Sequence, residues 1–235
     1  MTSSVLSPRQ NGVIVALDGP SGAGKSTIGR ALADALGYTY LDTGAMYRAL
    51  AVRALEAEIA VDDEPGLARM AAAARIAFDA TGKRVMLDGR DVSEEIRSRE
   101  ATRVASAVAK VGAVRRELVR RQQVLGKPGG VVLDGRDIGS VVFPDAEAKF
   151  YLDAAPEQRA RRRFDEITAK GQEASYEAIL DDIRARDLQD MTRADSPLVC
   201  VSDAVRVDTT EMTPEEVVAH ILGLVRDRIR VISPR

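Results

Sequence analysis

Val13-Ile-Val-Ala-Leu-Asp18-Gly19-Pro20-Ser21-Gly22-Ala23-Gly24-Lys25-Ser26-Thr27 is an apolar, β-forming run that enters a Gly-rich loop and leaves it into a helix-like stretch. The G-x-x-x-x-G-K-S spacing from Gly19 to Ser26 is that of a phosphate-binding loop. Its glycines let consecutive backbone N–H groups turn inward as an anion nest, and the following helix aims its positive end at the same place. Lys25 is placed to reach β- and γ-phosphates, and the Ser26 hydroxyl is a natural Mg²⁺ ligand. Gly19, Pro20, Ser21, Gly22, Ala23, Gly24, Lys25, Ser26 and Thr27 are the expected nucleotide-binding set of the loop.

Working outward, strand and helix signals alternate. Thr27 to Leu36 has helical spacing and stops at Gly37, a suitable C′ residue. A short strand over 38–41 and a helix over about 45–57 follow, then an Ala-rich helix over 64–74 with Pro65 in its first turn. Residues 76–80, a Thr81-Gly82 turn and residues 83–88 read as a β-hairpin, so 62–98 is an insert in the βα rhythm. Helical periodicity resumes over about 100–125, and buried-type strands follow at 131–134 and 149–153. Pro156 opens a charged helix to about Lys170; a helix over 176–190, a strand over 204–207 and a helix over 213–229 complete the chain. The expected fold is α/β, a five-stranded parallel sheet flanked by helices. The echo of Leu87-Asp-Gly-Arg-Asp91 in Leu133-Asp-Gly-Arg-Asp137 is read as coincidence.

Composition narrows the class. A chain of 235 residues suits one α/β core with insertions. A net charge of −2, with 30% of residues charged, argues against bulk nucleic-acid binding. Cys200 and His220 are the sole cysteine and histidine, which excludes an intrachain disulfide and disfavours a zinc cluster or a Cys-His nucleophile. A reducing cytoplasm fits, with Cys200 expected as a buried thiol beside a strand. Residues 1–10 lack an apolar signal core, and nothing approaches the ~20 apolar residues of a membrane span. The expectation is a disordered tail on a soluble protein that does not engage a membrane.

A phosphate-binding loop is shared by ATPases, GTPases and kinases. Guanine reading by an Asn-Lys-x-Asp stretch is excluded, because the one asparagine is Asn11. A kinase acting on a phosphorylated acceptor needs a second group of cations facing the loop. Asp42-Thr-Gly-Ala-Met-Tyr-Arg48 follows a strand end, where Thr43 either caps the next helix or serves a ligand, and Arg48 either clamps a phosphate or is solvated. Asp134-Gly-Arg136-Asp137 follows another strand, with a plain βα turn as the alternative. Arg159, Arg161, Arg162 and Arg163 crowd one early helix turn that either closes over the triphosphate or is an ordinary basic face.

These stretches, with Val142-Phe-Pro-Asp145 and Arg186-Asp-Leu-Gln-Asp190-Met-Thr-Arg193, resemble the bacterial cytidylate kinases, members of the P-loop nucleoside monophosphate kinases. The resemblance implies transfer of the ATP γ-phosphoryl group to CMP or dCMP with Mg²⁺, by a cytoplasmic monomer whose partners are these nucleotides. It implies a CORE (11–61, 99–155 and 173–235), an NMP-binding insert (62–98) and a LID (156–172). Carried over by position, Thr43, Tyr47, Arg48, Ser106, Arg115, Arg136, Asp137, Arg186, Asp190 and Arg193 form the CMP site, with Asp137 facing the sugar. Ser106, Arg115 and Asp190 would share the cytosine edge. Arg159, Arg162 and Arg163 would join the ATP site, and Lys25, Arg136, Arg162 and Arg186 would be catalytic. Two positions depart from relatives: Ser26 stands where some carry glycine, and Thr43 replaces a serine. A kinase for UMP, AMP or shikimate, and a slow ATPase module signalling through a partner, remain the alternatives.

Overall fold

The structure, a computed structural model, describes residues 9–79, 82 and 84–232. Its main sheet is built from β1 (Ile14–Asp18), β2 (Thr39–Asp42), β6 (Val131–Asp134), β7 (Ala148–Asp153) and β8 (Val205–Asp208). The spatial order is β2-β6-β1-β7-β8, and all pairs are parallel. All five residues of β1 are buried, as a central parallel strand covered on both faces requires. From β1 the chain crosses to the edge at β2, returns to β6, then passes to β7 on the far side. Connections therefore diverge at the carboxyl end of β1, where a crevice for a ligand opens. Each of the five strands ends on an aspartate: Asp18, Asp42, Asp134, Asp153 and Asp208.

Alternation along β1 divides the core. Val15 and Leu17 pack with Ile28 and Leu32 of α1 (Lys25–Leu36) and Ile221 and Val225 of α8 (Pro214–Ile232). Ile14 and Ala16 face Leu133, Ile138, Val142 and Phe143. A further cluster joins α2 (Thr43–Glu56), α3 (Glu64–Ala73), α4 (Arg99–Val108) and α5 (Gly112–Gly126), with Met46, Leu50, Leu67 and Leu118 almost wholly buried. Burying such a side chain stabilises by about 1.5–3 kcal/mol, so this group holds the helices against the sheet edge. The charged helix is α6 (Pro156–Thr168), followed by α7 (Tyr176–Thr192).

The hairpin comprises β3 (Ile76–Phe78) and β4 (Val85–Leu87), antiparallel; Ala80, Thr81 and Lys83 of its turn lie outside the described residues. A third strand, β5 (Arg90–Asp91), was not expected. Asp88 and Gly89 both have positive φ, 52° and 86°, and join β4 to β5 as a two-residue turn. The twin Asp134-Gly135 instead ends a parallel strand, so the echo joins unlike structures.

Three expectations are corrected. The helix read over 100–125 is two, α4 and α5, with Val111 extended between them (φ −76°, ψ 108°). Val104, Val108, Val111, Val114 and Leu118 are all buried, so the apolar stripe runs in phase through the break and conceals it from a periodicity reading. Cys200 is exposed; in the irregular stretch before β8 it is Leu198 that packs inward, with its N–H bonded to the Asp190 carbonyl. Of the presumed tail, residues 1–8 lie outside the described residues, while Arg9 is held by Asp145 (2.7 Å) and Glu147 (2.9 Å). Among the described residues no helix is long and apolar enough to cross a membrane.

Candidate active site

A cleft of about 360 Å³ opens above the carboxyl ends of β2 and β6, between the phosphate loop and helices α2, α4 and α7. Ser21, Gly22, Gly24, Lys25, Ser26 and Thr27 line it; Gly19, Pro20 and Ala23 do not. Gly24 closes the loop at φ 86°, a conformation open to glycine, and places Lys25 at the first turn of α1. Lys25 is buried, and its ammonium donates to the Gly19 (2.8 Å) and Pro20 (2.6 Å) carbonyls. Burial and the nearby Arg136 hold the Lys25 pKa well below the usual lysine range.

The strand-end aspartates, absent from the expected site set, organise this floor. Ser26 Oγ and the Tyr40 hydroxyl both donate to Asp134 Oδ2, at 2.7 and 2.9 Å. Burial, then the Asp42 charge, raises the Asp134 pKa, and Lys25 counters it. Asp18 accepts the Ile138 and Gly139 N–H groups at 2.8 and 2.7 Å, yet burial lifts its pKa to about 6. Asp42 caps α2 by accepting the Ala45 N–H at 2.8 Å and pairs with Arg48 at 2.8 Å. Of the two roles left open for Thr43, the cap therefore falls to Asp42; the Thr43 hydroxyl donates to the Asp134 carbonyl at 2.7 Å, joining the ends of β2 and β6. A strand-like run ending in Asp recurs throughout the sequence, and that was the signal available for Asp42 and Asp134.

All ten residues carried over as the acceptor site line the same cleft. Arg115, 2% exposed, pairs with Asp137, donates to the Ala109 carbonyl at 3.2 Å and lies over the Tyr47 ring at 5.5 Å. Asp137 therefore faces a guanidinium. Arg136 and Arg193 flank Asp190, at 2.8 and 3.4 Å. Arg115 Nε and Arg193 Nη2 are buried N–H groups without a hydrogen-bond partner among the described residues. Arg186 has neither hydrogen bond nor ion pair among the described residues, and burial together with Arg136 lowers its pKa. A half-buried cation that lacks an ion pair and lies beside other cations favours a bound anion, although Asp190 and Asp182 offset part of its charge.

The structure does not bring the α6 arginines into this cleft. Arg159, 2% exposed, is bound by Asp187 (2.6 Å) and the Ala154 and Ser21 carbonyls. Arg162 donates to the Thr209 carbonyl at 2.5 Å, Arg163 pairs with Glu166, and Arg161 rests on the Tyr176 ring at 4.9 Å. Of α6, Glu166 alone lines the cleft, and the described residues of 62–98 contribute nothing to its lining. Thr102 and Gln189 also line it and were not anticipated.

A family model described as cytidylate kinase matches residues 15–227. The chain belongs to the cytidylate kinase family. A cytidylate kinase from Caldanaerobacter subterraneus is 47% identical over 91% of this chain and 95% of its own length. One from Geobacter sp. strain M21 is 48% identical over 94% and 96%. Among solved structures, a gluconokinase from Sinorhizobium meliloti aligns over 95% of this chain and 97% of its own at a TM-score of 0.48 and 16% identity. The class of enzyme is accordingly an ATP-dependent nucleoside monophosphate kinase.

Proposed function

We propose that the chain transfers the γ-phosphoryl group of ATP to CMP or dCMP, giving ADP and the corresponding diphosphate, as a cytoplasmic monomer. The observation that carries this is the unpartnered Arg186, which shares with Arg48 and Arg136 the cleft wall facing the phosphate loop. Two anions can be held together there without mutual repulsion.

Lys25 would exchange the Gly19 and Pro20 carbonyls for β- and γ-phosphate oxygens. Arg48, Arg136 and Arg186 would hold the acceptor phosphate in line with the transferred group. The acceptor oxygen is already anionic, so no strong general base is required, and rate comes from positioning and charge neutralisation. Ser26 and Asp134 fit a divalent cation: their side-chain oxygens are 2.7 Å apart and both are hard donors. They would hold Mg²⁺, which when bound neutralises charge on the phosphate oxygens. Residues 156–172, the proposed LID, would bring Arg162 and Arg163 to the triphosphate by moving from the positions seen here. Residues 62–98, the proposed NMP-binding insert, would act through α2 and α4, against which they pack.

Steady-state kinetics of Arg186→Ala test the acceptor site. The KM for CMP should rise about tenfold or more, with the KM for ATP within about twofold of wild type. Equal effects on both would remove Arg186 from the acceptor site.

A further inference from the structure

The break between α4 and α5 does more than bend the chain. A helix leaves its last four carbonyls without intrahelical partners. In α4 the Ala105 carbonyl takes the Ala109 N–H, Ala107 takes Lys110 and Val108 takes Val111. The Ser106 carbonyl instead accepts from Gln189 Nε2 of α7, at 3.1 Å. Both residues line the cleft, and this is the one hydrogen bond between α4 and α7 among the described residues.

Two helix faces meet here with matched spacing. Thr102, Ala105 and Ser106 of α4 with its C-cap Ala109 line the cleft on one side, and Arg186, Gln189 and Asp190 of α7 with its C-cap Arg193 on the other, each set at i, i+3, i+4 and i+7. Small side chains on one wall and polar ones on the other leave a slot suited to a flat base.

The polarity of this slot is locked. A backbone carbonyl only accepts, so the Gln189 atom facing the Ser106 carbonyl is its NH₂, and the carboxamide cannot flip without losing that bond. Oε1 is thereby held as an acceptor, and no donor among the described residues reaches it. Ser106 Oγ donates to the Thr102 carbonyl at 3.3 Å, which leaves its lone pairs for the cleft. An exocyclic amino group placed here meets acceptors, whereas a carbonyl oxygen meets lone pairs.

We propose that Gln189 is a specificity-determining residue: pinned by the orphan Ser106 carbonyl, it makes the α4–α7 slot select a pyrimidine that carries an amino group over its oxo counterpart. This deepens the acceptor-site assignment above and rests on it. A freely rotating carboxamide would serve both bases equally, so selection depends on the pin, which exists because α4 ends where it does.

The test compares kcat/KM for CMP and for UMP in wild type, Gln189→Leu and Gln189→Glu. Leucine keeps the bulk without polarity, and glutamate keeps acceptors but cannot donate to the Ser106 carbonyl. Gln189 is half-buried near the end of α7, and circular dichroism unchanged from wild type would establish that both variants fold. Both should lower the CMP-to-UMP ratio by about tenfold or more, through the KM for CMP, with the KM for ATP unchanged. A ratio within about twofold of wild type in either variant overturns the assignment while leaving the proposed function standing. A wild-type enzyme that does not prefer CMP overturns both.

Discussion

At the scale of single residues, the cleft is a set of charges that satisfy one another incompletely. Lys25 shows this most directly, since its ammonium is held by carbonyls of its own loop at a cost that burial reveals. Lys25→Ala should lower kcat by about 10²- to 10³-fold, as expected for removing one preorganised donor, with little change in the thermal midpoint. Near-normal turnover in steady-state kinetics would deny Lys25 its role. The loop was legible in the sequence because motif spacing names it; the residues of the acceptor wall came from the resemblance to the cytidylate kinases, carried over by position. Their partners were not legible, because a sequence displays guanidiniums without the carboxylates that meet them: nothing in it pairs Arg159 with Asp187, 28 residues away, which binds it in the structure.

At the scale of elements, the same buried pair joins α6 to α7, and Arg159 adds a bond to the Ser21 carbonyl of the phosphate loop at 2.9 Å. The base of the proposed LID is thus anchored to the loop it would cover. Asp187→Ala leaves the Arg159 charge buried and should cost about 3 kcal/mol or more in a denaturant titration. A loss under about 1 kcal/mol would show that the carbonyl contacts suffice. Most elements were legible from periodicity, and β6 matches its expected bounds. The α4–α5 break was not, because its cause lies in tertiary structure: Arg115 and Gln189 take the carbonyls of Ala109 and Ser106 that a continuous helix would have used itself. The β5 strand was missed for another reason, since Asp88 was read as the end of a strand when with Gly89 it forms a turn.

At the scale of the molecule, the phosphate loop and the acceptor wall share one open cleft, and the arginines of α6 lie outside it. Chemistry between two anions requires water to be excluded, so residues 156–172 should close when both sites fill. Amide hydrogen exchange there should slow with CMP and a non-hydrolysable ATP analogue together and far less with either alone; unchanged exchange would mean no closure. The family places the chain among kinases, and the cleft supplies the reason for a phosphorylated acceptor. The most direct measurement is ADP release from MgATP with CMP, dCMP, UMP, AMP and shikimate in turn, with each product identified by chromatography. CDP and dCDP should form well above every other product. ADP release without a diphosphate product, or equal use of all acceptors, would contradict the account.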